Sequence, residues 1–314
     1  MKRYLLPALF LFLCQAGLFA QQDPLISHYM FSVPSYNPGA SGSSGMVCAT
    51  ALNRQQWAGL KGAPTTTTFN INAPVRLFKS QSGLGLLIRS DQTGFDSDIN
   101  LSLSYSYFAS VGPGRLGIGV SAGVINKTLN PTWVIPTGDI FVPPSGDPLI
   151  PESKESFVAF DAGLGVFYST DKYYAGLSVT HLNQPVIKYT KGNPYLSRHY
   201  FFTAGYKFIL SNPAFEVQPS LFAFSDGRIS QLTLNTMLTY NKKVWGGVSY
   251  RSGDALIGMV GLELYNGIKL GYSYDFSMTD IRKNTSGSHE FIVRYCFEIS
   301  AGRSPMKYKS VRFL

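Results

Sequence analysis

The chain has 314 residues, of which 14% are charged and 14% aromatic; soluble globular chains usually carry about 25% charged residues. Its formal charge of +9 is dispersed, and no nucleic-acid-binding motif accompanies it, which argues against a nucleic-acid partner. Sparse charge with abundant aromatics and 31 glycines suits a protein that is apolar outside and polar inside.

In chain order, Lys2 and Arg3 precede an apolar run from Tyr4 to Leu13, followed by the small-residue exit Cys14-Gln15-Ala16-Gly17-Leu18-Phe19-Ala20. This reads as a secretory signal peptide over residues 1–20, cut after Ala20. The apolar run is too short for a membrane-spanning helix, which needs ~20 residues. Large Leu13 directly before Cys14 is wrong for a lipidation site. Residues 21–44, rich in Pro, Ser, Tyr and Phe, precede the first strand and are expected in the lumen of a barrel or along its periplasmic rim.

From residue 45 onward the pattern has period two. Leu101, Leu103, Tyr105 and Tyr107 alternate with Asn100, Ser102, Ser104 and Ser106, and Ile268, Leu270, Tyr272, Tyr274 and Phe276 alternate with Lys269, Gly271, Ser273 and Asp275. Helices would need period 3.6. Strands are expected near Met46–Gln56, Thr65–Ala73, Leu84–Ser90, Ile99–Phe108, Leu116–Asn126, Phe157–Ser169, Tyr173–His181, His199–Leu210, Phe215–Phe224, Gln231–Tyr240, Val244–Arg251, Leu256–Tyr265, Ile268–Phe276 and His289–Ile299. Joins after even-numbered strands are mostly tight, as at Asn266-Gly267, whereas Lys127–Ser156, Leu182–Arg198 and Ser277–Ser288 are long. Short turns on one rim and long loops on the other are the mark of an outer-membrane barrel, and an antiparallel sandwich has no reason to segregate them. The expected fold is therefore all-β: a closed antiparallel transmembrane β-barrel of about 14 strands over residues 45–299, with both termini periplasmic and a basic tail over 300–314.

Charged residues on the strands fall on the polar side: Arg54, Arg89, Asp161, Lys207, Glu216, Arg251, Glu263, Asp275, Glu290 and Arg294. Facing lipid, an Arg or Lys near the midplane would cost about 2–4 kcal/mol; facing the lumen, these residues can pair and satisfy the interior, or line a path or hold a plug. Gly83-Leu84-Gly85 and Gly117-Ile118-Gly119 lie inside strands and mark small lumen-facing positions, not phosphate loops. His28, His181, His199 and His289 are scattered without ligand spacing, so neither a metal nor another cofactor is expected. No Ser–His pair ordered by a third group is marked at one place, and no enzymatic activity is expected. Cys48 opens the first strand and Cys296 ends the last with the same inward parity, so closure brings them near each other, within reach of a bridge across the seam. At the extracellular end of the first strand, Arg54, Gln55, Gln56 and Trp57 form a candidate partner-docking rim, or an aromatic-belt Trp beside polar residues that close the seam. The loop with Trp133 and the tail residues Arg312 and Phe313 are further candidate partner surfaces.

Several segments carry a resemblance: Gln21-Gln22-Asp23-Pro24, Ser27-His28-Tyr29-Met30-Phe31, Asn37-Pro38-Gly39-Ala40, Arg54-Gln55-Gln56-Trp57 with Gly59 and Gly62-Ala63-Pro64, Thr65 to Thr68, Ser288-His289-Glu290, and the ending Lys307 to Leu314. In this order and spacing they resemble the PorP/SprF family of Bacteroidota outer-membrane proteins, over essentially the whole mature chain. His28 stands where that family more often has Gln, and Gly39-Ala40-Ser41 replaces a more usual Ala-Tyr-Ala. The resemblance implies an outer-membrane accessory of type IX secretion and gliding that assists export or surface attachment of a large secreted protein, such as an adhesin with a C-terminal sorting domain. Its implied partners are that domain, other type IX components and outer-membrane lipids. A passive channel or porin is the alternative.

Overall fold

The computed structural model describes residues 23–77, 80–131, 153–265 and 267–298. The expected alternation becomes fourteen strands: β1 (Val47–Gln55), β2 (Thr65–Leu77), β3 (Ser80–Thr93), β4 (Asp96–Val111), β5 (Gly114–Leu129), β6 (Glu155–Ser169), β7 (Tyr173–Thr180), β8 (His199–Tyr206, resuming at Phe208–Ile209), β9 (Phe215–Ser225), β10 (Ser230–Tyr240), β11 (Val244–Arg251), β12 (Ala255–Glu263), β13 (Ile268–Ser277) and β14 (Ser288–Phe297). Each pairs antiparallel with its neighbours in sequence, and β1 pairs with β14 from Val47 opposite Phe297 to Gln55 opposite His289. The sheet is therefore a closed ring, which leaves no strand edge unpaired in hydrocarbon. At Lys207 the ladder breaks and its amide turns to the carbonyl of Lys172.

The exterior shows why these residues belong in a bilayer. Leu103, Val158, Phe160, Leu177, Val248 and Val260 are each about three-fifths exposed, while their polar neighbours Asn100, Ser106, Asp161, Ser178 and Ser249 are buried. An apolar surface this large would drive association in water; in lipid it is the solvated face.

The ends differ. Both the start of β1 and the end of β14 lie at one end, here the near end, where the joins are short, such as 112–113, 170–172 and 241–243. Asn241 and Lys242 both adopt positive φ, at 49° and 56°, as a type I′ hairpin requires. The far end carries the longer connections 56–64, 130–154, 181–198 and 278–287. Of these, 181–198 folds inward through two isolated bridges, Val186 with Tyr195 and Tyr189 with Gly192. Its Ile187 and Leu196 are buried against Ile125 and Ala159 of the wall.

Candidate functional site

The lumen is occupied by the chain's own residues 23–45, which precede β1. They run as three short 3-10 turns, Tyr29–Phe31, Val33–Ser35 and Pro38–Ala40. Asn37 caps the last of these by accepting from the Gly39 amide, and Pro38 at its first position has no amide to leave unpaired. Pro34, Pro38 and the local turns keep the segment from joining the sheet as another strand.

Two buried polar latches hold the start of this plug near the far end. In the first, the Ser27 and His28 amides donate to the Glu290 carboxylate at 2.8 and 2.7 Å, and His28 Nδ1 lies 2.7 Å from the same group. Arg54 pairs with Asp275 at 2.7 Å and Glu290 at 3.2 Å, and Arg251 pairs with Asp275 at 3.0 Å. Ser27 Oγ accepts from both guanidinium groups and donates to Asp275. Two cations thus face two anions across four strands and the plug. Removing one partner from such a buried pair leaves an uncompensated charge, at a cost of about 3–5 kcal/mol.

The second latch centres on Asp23, which pairs with Arg89 at 2.6 Å, His199 Nδ1 at 2.9 Å and His181 Nε2 at 3.4 Å. His181 Nδ1 donates to Asp161 at 2.9 Å. Burial alone would push the Asp23 carboxyl up, but Arg89, His199 and His181 outweigh it and hold the carboxyl well below its ordinary range. Burial opposes the charge on His181, yet Asp23 and Asp161 prevail and raise it to about 9.

Below the latches the plug splits its surface between two walls. Tyr29 stacks on Phe222 with ring centroids 4.9 Å apart, and Leu25, Val33, Tyr36 and Ala40 pack with Phe167, Phe201 and Phe224. Met30 and Phe31 lie against Met237, Trp245, Ile257 and Met259. On the other side the backbone itself touches the wall: Ser106 donates to Gly39 O at 2.9 Å, Gly42 N to Asn72 at 3.1 Å, and Arg115 to Ser43 O at 2.8 Å. The in-strand Gly-x-Gly pairs are the bed for this contact. A Cβ at Gly83 would collide with the Ser41 carbonyl, and one at Gly119 with Pro38 and Gly39. The Gly119-to-Gly123 stretch also spells Gly-x-Ser-x-Gly, but it is continuous β5 strand, without the strand-to-helix elbow that aims a nucleophile.

Cys48 and Cys296 face each other in the β1–β14 register and are joined by a disulfide, Cα to Cα 4.1 Å. It staples the seam at the foot of the plug, where Asn72 bonds both Gly42 and the Cys48 carbonyl.

The expected docking rim divides. Arg54 is a correction: it shares inward parity with Thr50 and Leu52, is 2% exposed, and is committed to the first latch, so its guanidinium does not reach the rim. Gln55 is exposed, while Gln56 and Trp57 are half-buried at the far end. Trp57 has a φ of 51° and its amide donates to Ser288 Oγ at 3.0 Å, tying the β1–β2 connection to the start of β14. Trp133, Arg312 and Phe313 lie outside the described residues. The inward parity expected for Arg89, Asp161, Arg251, Asp275 and Glu290 matches their buried pairing. Spacing alone did not reveal that His181 and His199 meet, nor that Asp23 and Ser27 anchor the lumen. The usable signal was glycine inside strands, which marks a close approach by another backbone.

No curated relative matches the sequence. Solved structures similar in fold include the toluene transporter TbuX of Ralstonia pickettii, 13% identical over 84% of this chain and 92% of that one, with a TM-score of 0.46. Omp33 of Acinetobacter baumannii is 8% identical over 81% and 99%, TM-score 0.46, and a deletion mutant of the monoaromatic hydrocarbon channel TodX is 11% identical over 81% and 90%, TM-score 0.48. The family model described as type IX secretion system membrane protein PorP/SprF matches residues 18–295. A closed strand ring, an apolar belt, a lumen filled by the chain's own residues and that match place the protein in the outer membrane, and the chain belongs to the PorP/SprF family of type IX secretion system membrane proteins.

Proposed function

We propose that this barrel is a non-enzymatic accessory of type IX secretion that assists export or surface attachment of a large secreted protein, an adhesin being the natural example, through that client's C-terminal domain. The observation that carries the reading is the plug: residues 23–45 run through the lumen from the far end to the near end, latched at the far end and hydrogen-bonded to the wall below it. A wall packed on its own chain offers a partner its rims and outer face, not a passage. In this reading the near end faces the periplasm and the longer connections face outward.

The test is isolation of the barrel in mild detergent from cells that secrete type IX cargo, followed by mass spectrometry of what accompanies it. Recovery of a large secreted protein, lost when its C-terminal domain is deleted, supports the proposal. A barrel that recovers no such client and conducts ions steadily in planar bilayers overturns it in favour of the passive channel.

A further inference from the structure

We propose that Asp23, His181 and His199 form a site for one borderline transition-metal cation, Zn2+ foremost, that clamps the start of the plug to the barrel wall. Their ligand atoms all lie within 4.8 Å of one another and all three residues are buried. The Asp23 carboxylate is 2.9 Å from His199 Nδ1 and 3.4 Å from His181 Nε2. A four-coordinate zinc with bonds of about 2.0–2.2 Å sets its ligand atoms roughly 3.3–3.5 Å apart; the His181–Asp23 separation already matches this, and His199 would draw back from Asp23 to admit the ion.

Three further features point the same way. First, His181 Nδ1 donates to Asp161 at 2.9 Å, which leaves Nε2 aimed at Asp23; a carboxylate behind the far ring nitrogen is how metal-ligating histidines are held. Second, His181, the residue after β7, has a φ of 52° and its buried ring reaches Asp161 through Nδ1 and Asp23 through Nε2. Third, a cavity of about 40 Å³ lined by Arg89, Asn100, Asp161, Thr180 and His181 adjoins the cluster. It has room for a water as fourth ligand, and Asn100 Oδ1 has no hydrogen-bond partner among the described residues.

The opposing charge is Arg89, 2.6 Å from Asp23 Oδ1. It shares Oδ1 with His181 Nε2, while Oδ2 faces His199 Nδ1 at 2.9 Å and Thr180 Oγ1 at 3.4 Å, so a cation would enter between the carboxylate and the two rings by displacing their hydrogen bonds. Asp23 and Asp161 offset Arg89 and part of the added charge. Two imidazoles and one carboxylate suit Zn2+, Co2+ or Ni2+; Ca2+ and Mg2+ prefer all-oxygen sites. The clamp would join residue 23 to the two ends of the 181–198 connection, so the plug and the far-end cap would be held by one ion.

The experiment uses the full mature protein, purified in detergent and stripped with a chelator. Zn2+ uptake is measured after equilibrium dialysis beside His181→Ala, His199→Ala and Asp161→Asn, each checked for the folded form by unheated gel mobility. The proposal expects one Zn2+ per chain, at least tenfold weaker uptake in either histidine variant, a loss of ~10–100-fold in affinity for Asp161→Asn, and no uptake of Mg2+ or Ca2+. Should the histidine variants not fold, Co2+ added to the wild-type protein decides by its visible absorption: the intense bands of a four-coordinate centre support the site, and a six-coordinate spectrum overturns it. Uptake that is absent, or unchanged in folded histidine variants, also overturns it.

Discussion

The two halves of the lumen wall solve the same packing problem with different chemistry. Along β1 to β4 the inward positions are mostly polar: Thr50, Thr66, Thr68, Asn70, Asn72, Asn100 and Ser106 are all buried, with Leu52 and Phe108 the large apolar exceptions. Along β8 to β12 large apolar side chains, Phe201, Phe222, Phe224, Met237, Trp245, Ile257 and Met259, share the inward positions with the polar His199, Thr203, Ser220, Thr233, Asn235, Ser249 and Arg251. The plug matches this division, laying backbone and small residues on the first wall and aromatic rings on the second. A lumen meant to carry water would have no use for the second wall. Its apolar residues are a binding surface whose occupant is the chain's own N-terminal segment.

Substitutions on either wall test this division, and unfolding by urea in lipid vesicles reads each effect. Arg54→Ala should cost the most, about 3–5 kcal/mol, because it removes one of two guanidinium groups that balance the buried Asp275 and Glu290 carboxylates; a cost under ~1 kcal/mol would mean the latch is hydrated. Met259→Ala on the apolar wall should cost about 2–5 kcal/mol, as truncation in a dry core does. If water filled that side, the cost would fall below this range. On β5, next to the polar wall, Gly119→Ala should cost about 1–3 kcal/mol, since the new methyl has to displace plug backbone. The smallest effect should come from Ser178→Ala, which loses a hydrogen bond of 2.7 Å to Tyr36 O, for about 0.5–1.5 kcal/mol. Were Gly119→Ala neutral, the plug would not press on β5.

Much of this architecture could be read in the residues. The outward face was legible because Leu101, Leu103 and Tyr107, or Ile118 and Val120, alternate with small or polar partners, and period two has no helical interpretation. The seam was legible because cysteines of equal parity sit at the start of the first strand and the end of the last. The apolar wall was not. In β9, Leu221 and Ala223 point one way and Phe222 and Phe224 the other, so both faces read as apolar and alternation falls silent. A strand packed on both faces looks this way whatever lies against it. The plug's path was hidden for another reason: its 3-10 turns have no period, and its partners lie far along the chain, 142 residues from Tyr36 to Ser178 and 263 from Ser27 to Glu290. Arg54 misled because its place in the sequence, next to Gln55 and Trp57, suggests the rim, while its parity sends it inward. Here parity decided.

The division of the lumen wall requires the N-terminal segment to lie inside the ring. Ser41 Oγ and Ser104 Oγ, from the plug and from β4, are 2.7 Å apart. With Ser41→Cys and Ser104→Cys introduced together, mild oxidation of the folded barrel should join the two positions, as read by mass spectrometry of the digested protein. Two free thiols that label separately in the folded state would contradict it.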